Sequence, residues 1–455
     1  MTASRGADRL LDVARGIVGR ARDGEQVEAY VAHSRDTDVK VFDGDVESLS
    51  VAEVDGVGVR VLVEGRQGYA WAGSLEPEVV ADTLAEARDN AAFGAPDEFQ
   101  ALATPADVAA VDPPVLDLFR DDLLEVPTEA KVALALDLER ATRALDPRIR
   151  GVEAASYGDA AVEAAVANSL GVEAVARRTM TSCTSYALAG EGATTQTGYG
   201  FSAGRTFSEL EPDVAARDAV ERAVRLLGAT QPRSQRLTVI LDPLVTRSLL
   251  GILGAALSGE SVLKGRSMFV GREGEEVAAP GVTLVDDPTV AEAFGASTHD
   301  AEGVPTRRTT LIGAGVLRGF LHNVYTGRRS GAGTTGSAVR GVKSTPAVGA
   351  RALTLLPGTR PPDTILSTTD EALYVQSVSG LHSGTNPVSG DFSVGAEGLM
   401  VRGGAFAEPV REVTIASTLP RMLLDIAEIG SDLTWLPGGA AGVTVVLPEM
   451  TLSGS

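Results

Sequence analysis

Residues Leu237 to Glu260 read LTVILDPLVTRSLLGILGAALSGE. The apolar, β-branched run up to Leu241 is cut by Asp242-Pro243, an N-cap and a first-turn proline, and a leucine-rich segment at helical spacing follows. This pattern predicts a buried strand feeding directly into an apolar helix. From Leu249 to Leu257 that helix carries no side chain able to ligate a metal, donate a proton or attack a carbonyl. Leu249, Leu250, Leu253 and Leu257 are expected to pack as core, each contributing about 1.5–3 kcal/mol when fully enclosed.

Immediately upstream, Gly228 to Arg236 (GATQPRSQR) mixes glycine, proline and charge, and reads as a linker. It divides the 455 residues, more than one core usually organises, into an N-terminal α+β domain (1–232) and a C-terminal β-rich domain (233–455) that carries the apolar helix. In the first domain an amphipathic helix from Asp8 to Arg22 precedes a meander between Val27 and Trp71, with turn signals at Asp43-Gly44, Asp55-Gly56 and Glu64-Gly65. A helix with Val80, Leu84, Ala87 and Ala91 on one face follows, and Ala95 to Pro127 reads as a surface excursion. Thr128 is the expected N-cap of a third helix with the face Leu134, Leu138, Ala141 and Leu145. Strand blocks then return, up to a helix that aligns Ala216, Val220, Ala223 and Leu227. Helix, meander, helix thus occurs twice, and the shared openings Val27-Glu28-Ala29 and Val152-Glu153-Ala154 hint at a duplicated unit. Beyond the linker, short strand-like pieces separated by Gly, Ser and Thr predict a mostly antiparallel, curled or barrel-like domain. The expected fold class is α+β.

With 44% apolar and 22% charged residues the chain is globular, not disordered. A net charge of −21 repels nucleic-acid phosphates and anionic membrane surfaces alike, which argues against direct DNA or RNA binding. No stretch of eighteen apolar residues suggests a membrane span, and arginines interrupt the first helix where a signal peptide would be apolar. A single cysteine, Cys183, excludes an intramolecular disulfide and suits a reducing cytosol. The expected location is cytoplasmic.

Several chemistries are excluded by spacing. No pair among His33, His299, His322 and His382 lies at i, i+4, so there is no zincin-type helix, and one cysteine cannot form a paired-cysteine metal site. Cys183 reads as a small packed residue. Neither a nucleophile elbow nor a G-x-x-x-x-G-K loop is present, and the glycine-rich runs Gly327 to Gly341 and Gly380 to Gly398 lack a strand-then-helix setting. His299-Asp300, and His382 near Asp391 and Glu397, read as loop hydrogen-bonders, with convergence on a serine or a metal as the alternative. Asp286-Asp287 before Pro288 reads as a solvated turn. Asp117, Asp121, Asp122 and Glu125 read as a solvated helical face, with cation binding as the alternative.

Five blocks in order, Val57 to Ala70, Ile240 to Thr289, Gly303 to Arg329, Val388 to Ser417 and Val446 to Met450, together resemble the TldD/PmbA family of peptidase-related proteins. The resemblance covers nearly the whole chain. It implies a catalytic family member with an H-E-x-x-x-H helix, in which two imidazoles hold a zinc-type metal and the glutamate serves as base, and a downstream cysteine as third ligand. Aligned on Ser258-Gly259-Glu260 and the S-x-F of Ser267 to Phe269, the histidine positions fall on Leu250 and Ala255 and the glutamate position on Gly251. The cysteine, expected between Thr434 and Gly442, is absent as well. The resemblance therefore implies no catalytic, metal or cofactor site in this chain. It implies a TldE (PmbA)-like subunit that pairs with a TldD-like H-E-x-x-x-H subunit, the zinc-type metal lying in the partner, to process peptides or peptide-like conjugates. Two alternatives stand beside it: a stand-alone or pathway-specific hydrolase with a relocated active site using His299, His322 or His382, and a protein-interaction modulator without catalysis. The Asn386 to Glu397 loop is the first candidate for a substrate channel or partner contact, with a tight β-turn as its other reading.

Overall fold

The computed structural model describes residues 4–455. Strands β1 (Glu25–Phe42), β2 (Asp45–Val63), β3 (Arg66–Ala72), β4 (Ile149–Asn168), β5 (Glu173–Ala189) and β6 (Gln196–Gly204) form one antiparallel sheet in the order β3-β2-β1-β4-β5-β6. Strand alternation sorts its residues. Odd-numbered Val27, Ala29, Val31, Val57, Val59, Val61, Ala165 and Ala167 pack under helices α1 (Ser4–Val18) and α2 (Pro77–Phe93). Val39, Val41, Ala155, Tyr157 and Cys183 pack under α3 (Thr128–Leu145) and α4 (Pro212–Val224). Even-numbered residues, among them Glu28, Tyr30, Arg60, Ala164 and Ala176, turn the other way.

The unit helix, three strands, helix is built twice, and β1 pairs with β4 along the middle, from Glu28↔Asn168 to Val41↔Ala155. Each closing helix sits on a glycine of the outer strand. A Cβ at Gly68 would lie 2.0 Å from the Ala87 carbonyl oxygen of α2, and one at Gly198 would lie 2.0 Å from that of Ala219 in α4.

Three local expectations are corrected. Asp55-Gly56 is no turn: β2 runs through it, and Gly56 and Gly58 serve close approach, since a Cβ there would meet the Val342 side chain at 2.8 Å and the Tyr69 hydroxyl at 2.2 Å. Thr128 is the first helical residue, with Pro127 as N-cap. The buried face of α3 is Lys131, Ala135, Leu138, Glu139 and Thr142, and Leu145 is exposed. Two of these polar residues are paired in the core: the Lys131 ammonium is 2.5 Å from Asp159, and Thr142 bonds Ser185 at 2.9 Å.

In the second half β7 (Gln235–Leu241), β8 (Glu371–Ser379), β9 (Asp391–Arg402), β10 (Ala405–Thr418) and β11 (Val445–Ser453) run in the order β10-β9-β8-β7-β11, and β10 pairs back on β11 to close a five-stranded barrel. Only the β7–β8 pair within it is parallel. Helix α5 (Pro243–Ala256) leaves β7 at Asp242, whose carboxylate accepts from the Leu244 N–H at 2.9 Å, Arg222 at 2.8 Å and the Tyr374 hydroxyl at 2.6 Å. Its leucines join the barrel's core. Both halves are α+β, and the second is curled into a barrel as the spacing predicted. Among the described residues no helix is long and apolar enough to cross a membrane.

Candidate functional site

Helix α5 is not buried all round. Leu249, Leu250, Leu253 and Leu257 are in the core as expected, but Gly251 and Ala255 between them are exposed. These two residues, with Leu250 and Gly254, line a cleft of about 450 Å³ whose opposite wall includes Gly439 and Ala440. Those glycine and alanine residues belong to a hairpin pairing Thr434–Trp435 with Ala441–Gly442. It is pinned to α5 by Arg247, whose guanidinium donates to the Pro437 carbonyl at 2.5 Å, and by Gly442, where a Cβ would lie 2.3 Å from the Pro243 carbonyl. The fold thus brings together the two segments that the resemblance singles out, 180 residues apart in sequence, around one open space.

The donors in that space do not suit a metal. Leu250, Gly251 and Ala255 present only carbon and hydrogen, Gly439 and Ala440 add no side-chain donor, and the Arg247 and Ser248 that also line the cleft donate to the carbonyls of Pro437 and Leu244. Among the described residues no three of His, Cys, Asp or Glu gather as a potential cage. His299 Nδ1 lies 3.1 Å from its neighbour Thr298, and His322 Nδ1 lies 3.2 Å from Thr326; burial lowers the pKa of both imidazoles. His382 sits in a short helix, Leu381–Gly384. Cys183 is fully buried, and burial pushes its thiol up to about 11. Asn386 turns the chain by accepting the N–H groups of Val388 and Ser389, so the loop ends at Gly390 and β9 begins at Asp391. Asp122 accepts from the Thr206 hydroxyl at 2.8 Å.

Asp286 contradicts its solvated-turn reading. It is 1% exposed at the end of the short strand Leu284–Asp286 and accepts the N–H groups of Arg351 and Ala352 at 2.9 and 2.7 Å. Burial outweighs those bonds and pushes its carboxyl up to about 6.

A second cavity, of about 670 Å³, shares Ala350 and Gly439 with the cleft. Even-face residues of β4 and β5 form one wall, and Arg340 and Arg351 stand in the other. Beside it lies a buried ion network. Arg60 on β2 reaches Glu28 at 2.9 Å and Glu302 at 3.1 Å, and Arg340 reaches Glu28 at 2.5 Å. Burial alone would raise Glu28, but the two guanidiniums outweigh it and hold the carboxyl below its usual range. Glu302, closer to Asp300 and with one guanidinium, is pushed by burial up to about 7. The sequence singles out none of Arg60, Glu302 and Arg340, and names Glu28 only within the repeat opening and Asp300 only beside His299. The one available signal was a charge at an inward strand position, Glu28 and Arg60 each lying within valine-rich alternation.

Three family profiles match in succession: the PmbA/TldA metallopeptidase domain 1 over residues 27–91, the central domain over 121–227 and the C-terminal domain over 234–454. The chain belongs to the PmbA/TldD family. Metalloprotease PmbA of Escherichia coli is 28% identical over 449 residues, covering 98% of this chain and 96% of that protein. A metalloprotease of Methanothermobacter thermautotrophicus is 28% identical over 422 residues, covering 90% and 88%. Family folds superpose throughout: TldE of Thermococcus kodakarensis at TM-score 0.86 and 22% identity, covering 98% of this chain and 99% of that one. A Thermotoga maritima protein described as a candidate DNA gyrase modulator superposes at TM-score 0.87 and 24% identity, covering 99% and 100%.

Proposed function

We propose that this chain is a metal-free, TldE/PmbA-like subunit that pairs with a TldD-like metallopeptidase subunit and helps it process peptides or peptide-like conjugates. One observation carries the reading. The family's ligand positions still face an open cleft of about 450 Å³, yet Leu250, Gly251 and Ala255 line it with hydrocarbon. Leftover chemistry in a collapsed core would indicate simple decay of an active site. An open cleft lined by no His, Cys, Asp or Glu is instead suited to accommodating a chain whose bond is cut elsewhere.

A surface for the partner is also at hand. Residues 45–55 of β2 pair only with β1, leaving an unpaired strand edge with Val46, Leu49, Val51 and Val54 exposed. Such an edge is a ready site for another chain. Co-expression with an H-E-x-x-x-H paralogue from the same genome should give a co-purifying complex that cleaves an unfolded peptide substrate and is inhibited by a chelator. The same assay on this chain alone should show neither stoichiometric zinc nor cleavage. Chelator-sensitive hydrolysis by the isolated chain would refute the reading.

A further inference from the structure

Arg340 is wholly buried in its side chain and packs over Tyr30 and Tyr69, its guanidinium 4.9 and 5.7 Å from their ring centroids. One of its nitrogens reaches Glu28, whereas Nε and Nη2 are buried with no hydrogen-bond acceptor among the described residues. Arg351 repeats the situation: Nη2 donates to the Ala338 carbonyl at 2.8 Å, and Nε is buried with none. Three guanidinium nitrogens without an acceptor beside one cavity are costly to bury.

The nearest carboxylates do not relieve them. Asp300 spends its oxygens on the N–H groups of Glu302, Val304 and Ala338, and Asp286 accepts from Arg351 and Ala352. Val162, Ala164, Val166 and Met180 give β4 and β5 an apolar stretch of wall, and Asp117, Arg177, Arg178 and His299 also line the cavity. Guanidinium forks with free N–H groups fit planar oxyanions. Glu28, Asp286, Asp300 and Glu302 are four buried carboxyls beside the three guanidiniums of Arg60, Arg340 and Arg351, so a singly charged carboxylate is tolerated better than a phosphate dianion.

We propose that this cavity binds the carboxylate of a peptide or peptide-like ligand, Arg340 and Arg351 anchoring the charge and the apolar wall of β4 and β5 receiving the adjoining side chain. The cavity's continuity with the α5 cleft through Ala350 and Gly439 puts the anchored end within one continuous space. The inference extends the peptide-processing reading, and it is tested by binding to this chain alone.

Titration calorimetry of the full chain with acetyl-Ala-Ala-Leu as free acid and as C-terminal amide is the direct measurement. The acid should bind, and the amide should bind about tenfold or more weakly, the worth of a charge-assisted pair. Arg351→Gln should erase the preference while keeping the thermal unfolding midpoint near that of the parent. Because Arg340→Gln also loosens Glu28, the second variant is Ala164→Phe, which fills the apolar wall and should weaken acid and amide together. Equal affinity for acid and amide, no binding of either, or an unchanged preference in folded Arg351→Gln overturns the inference; inorganic phosphate displacing the acid more effectively than acetate overturns the choice of a carboxylate. No turnover enters the measurement. An inactive subunit pair with intact acid preference would therefore sink only the proposed function, and an active pair without that preference only this inference.

Discussion

Strands β2 and β5 hold the same place in the two repeated units, and each pairs with its outer neighbour only over its C-terminal part. β2 meets β3 from Val57 to Val63, and β5 meets β6 from Thr181 to Ala189. The unpaired stretches then meet different fates. On β5 the segment before the third helix folds over the edge: the Thr179 N–H donates to the Leu118 carbonyl at 2.9 Å, and its hydroxyl accepts from the Arg120 N–H while donating to the Arg205 carbonyl at 2.7 Å. On β2 no such segment arrives, and Val51 remains 54% exposed. A repeated architecture has one edge closed by its own chain and one left open. The closed edge borders the arginine-lined cavity, and the open one is free for a partner.

Three measurements would break or sharpen this contrast. The largest effect is expected at Arg60, which ties the paired end of β2 to Glu302 in the second half. Arg60→Ala leaves Glu302 with no guanidinium and Glu28 with Arg340 alone, and should cost about 3–5 kcal/mol in denaturant unfolding; a loss within the noise would mean that the halves are not joined there. Next is Asp286, which holds the backbone of Arg351 and Ala352 beside the β5 cavity. Its folded-state pKa, about 6, lies above the ordinary aspartate value, so the stabilisation it contributes is complete below about pH 4 and is lost as pH rises through about 6. Asp286→Asn keeps an oxygen for the two backbone N–H groups and cannot ionise. Relative to the parent it should gain up to roughly 3 kcal/mol between pH 4 and pH 7, and parallel pH–stability curves would contradict this. The smallest effects test the edges themselves. Thr179→Val on the closed edge should cost about 1–3 kcal/mol by stranding two backbone groups, whereas the Leu49→Lys, Val51→Lys pair on the open edge should change stability by no more than about 0.5 kcal/mol yet abolish co-purification with the H-E-x-x-x-H subunit. Reversed sensitivities would show that the open edge is structural.

What sequence could reveal follows from the range of the interactions involved. The α+β class, the meanders and the strand-to-helix passage at Asp242 are encoded by neighbours a few residues apart, through alternation, Asp-Gly turns and an N-cap. Asp43 and Gly44, with φ of 53° and 83°, do form the first hairpin turn. The same dipeptide at Asp55-Gly56 misled, because its glycine makes room for Val342, almost 300 residues on. The third helix was read with its leucines inward, and the register is set instead by Lys131 finding Asp159 and Thr142 finding Ser185. Asp286 reads as solvated from its neighbours alone because the backbone N–H groups that enclose it come from residues 351 and 352. The cleft on α5 was legible only as missing donors. The arginine cavity was not legible, since Arg340 meets Tyr30 and Glu28 across more than 300 residues.

Closure of the five-stranded barrel also sets a timetable for folding. β7 lies between β8 and β11, so residues 235–241 have no partner on either side until residues 371–379 and 445–453 have been made. The six-stranded sheet and its helices are complete by residue 224 and can assemble first, since domains generally fold as units during synthesis. The barrel's long sequence separations predict a slow second phase. During that interval the leucine-rich α5 has no core to enter, and its exposed apolar face is open to non-native association.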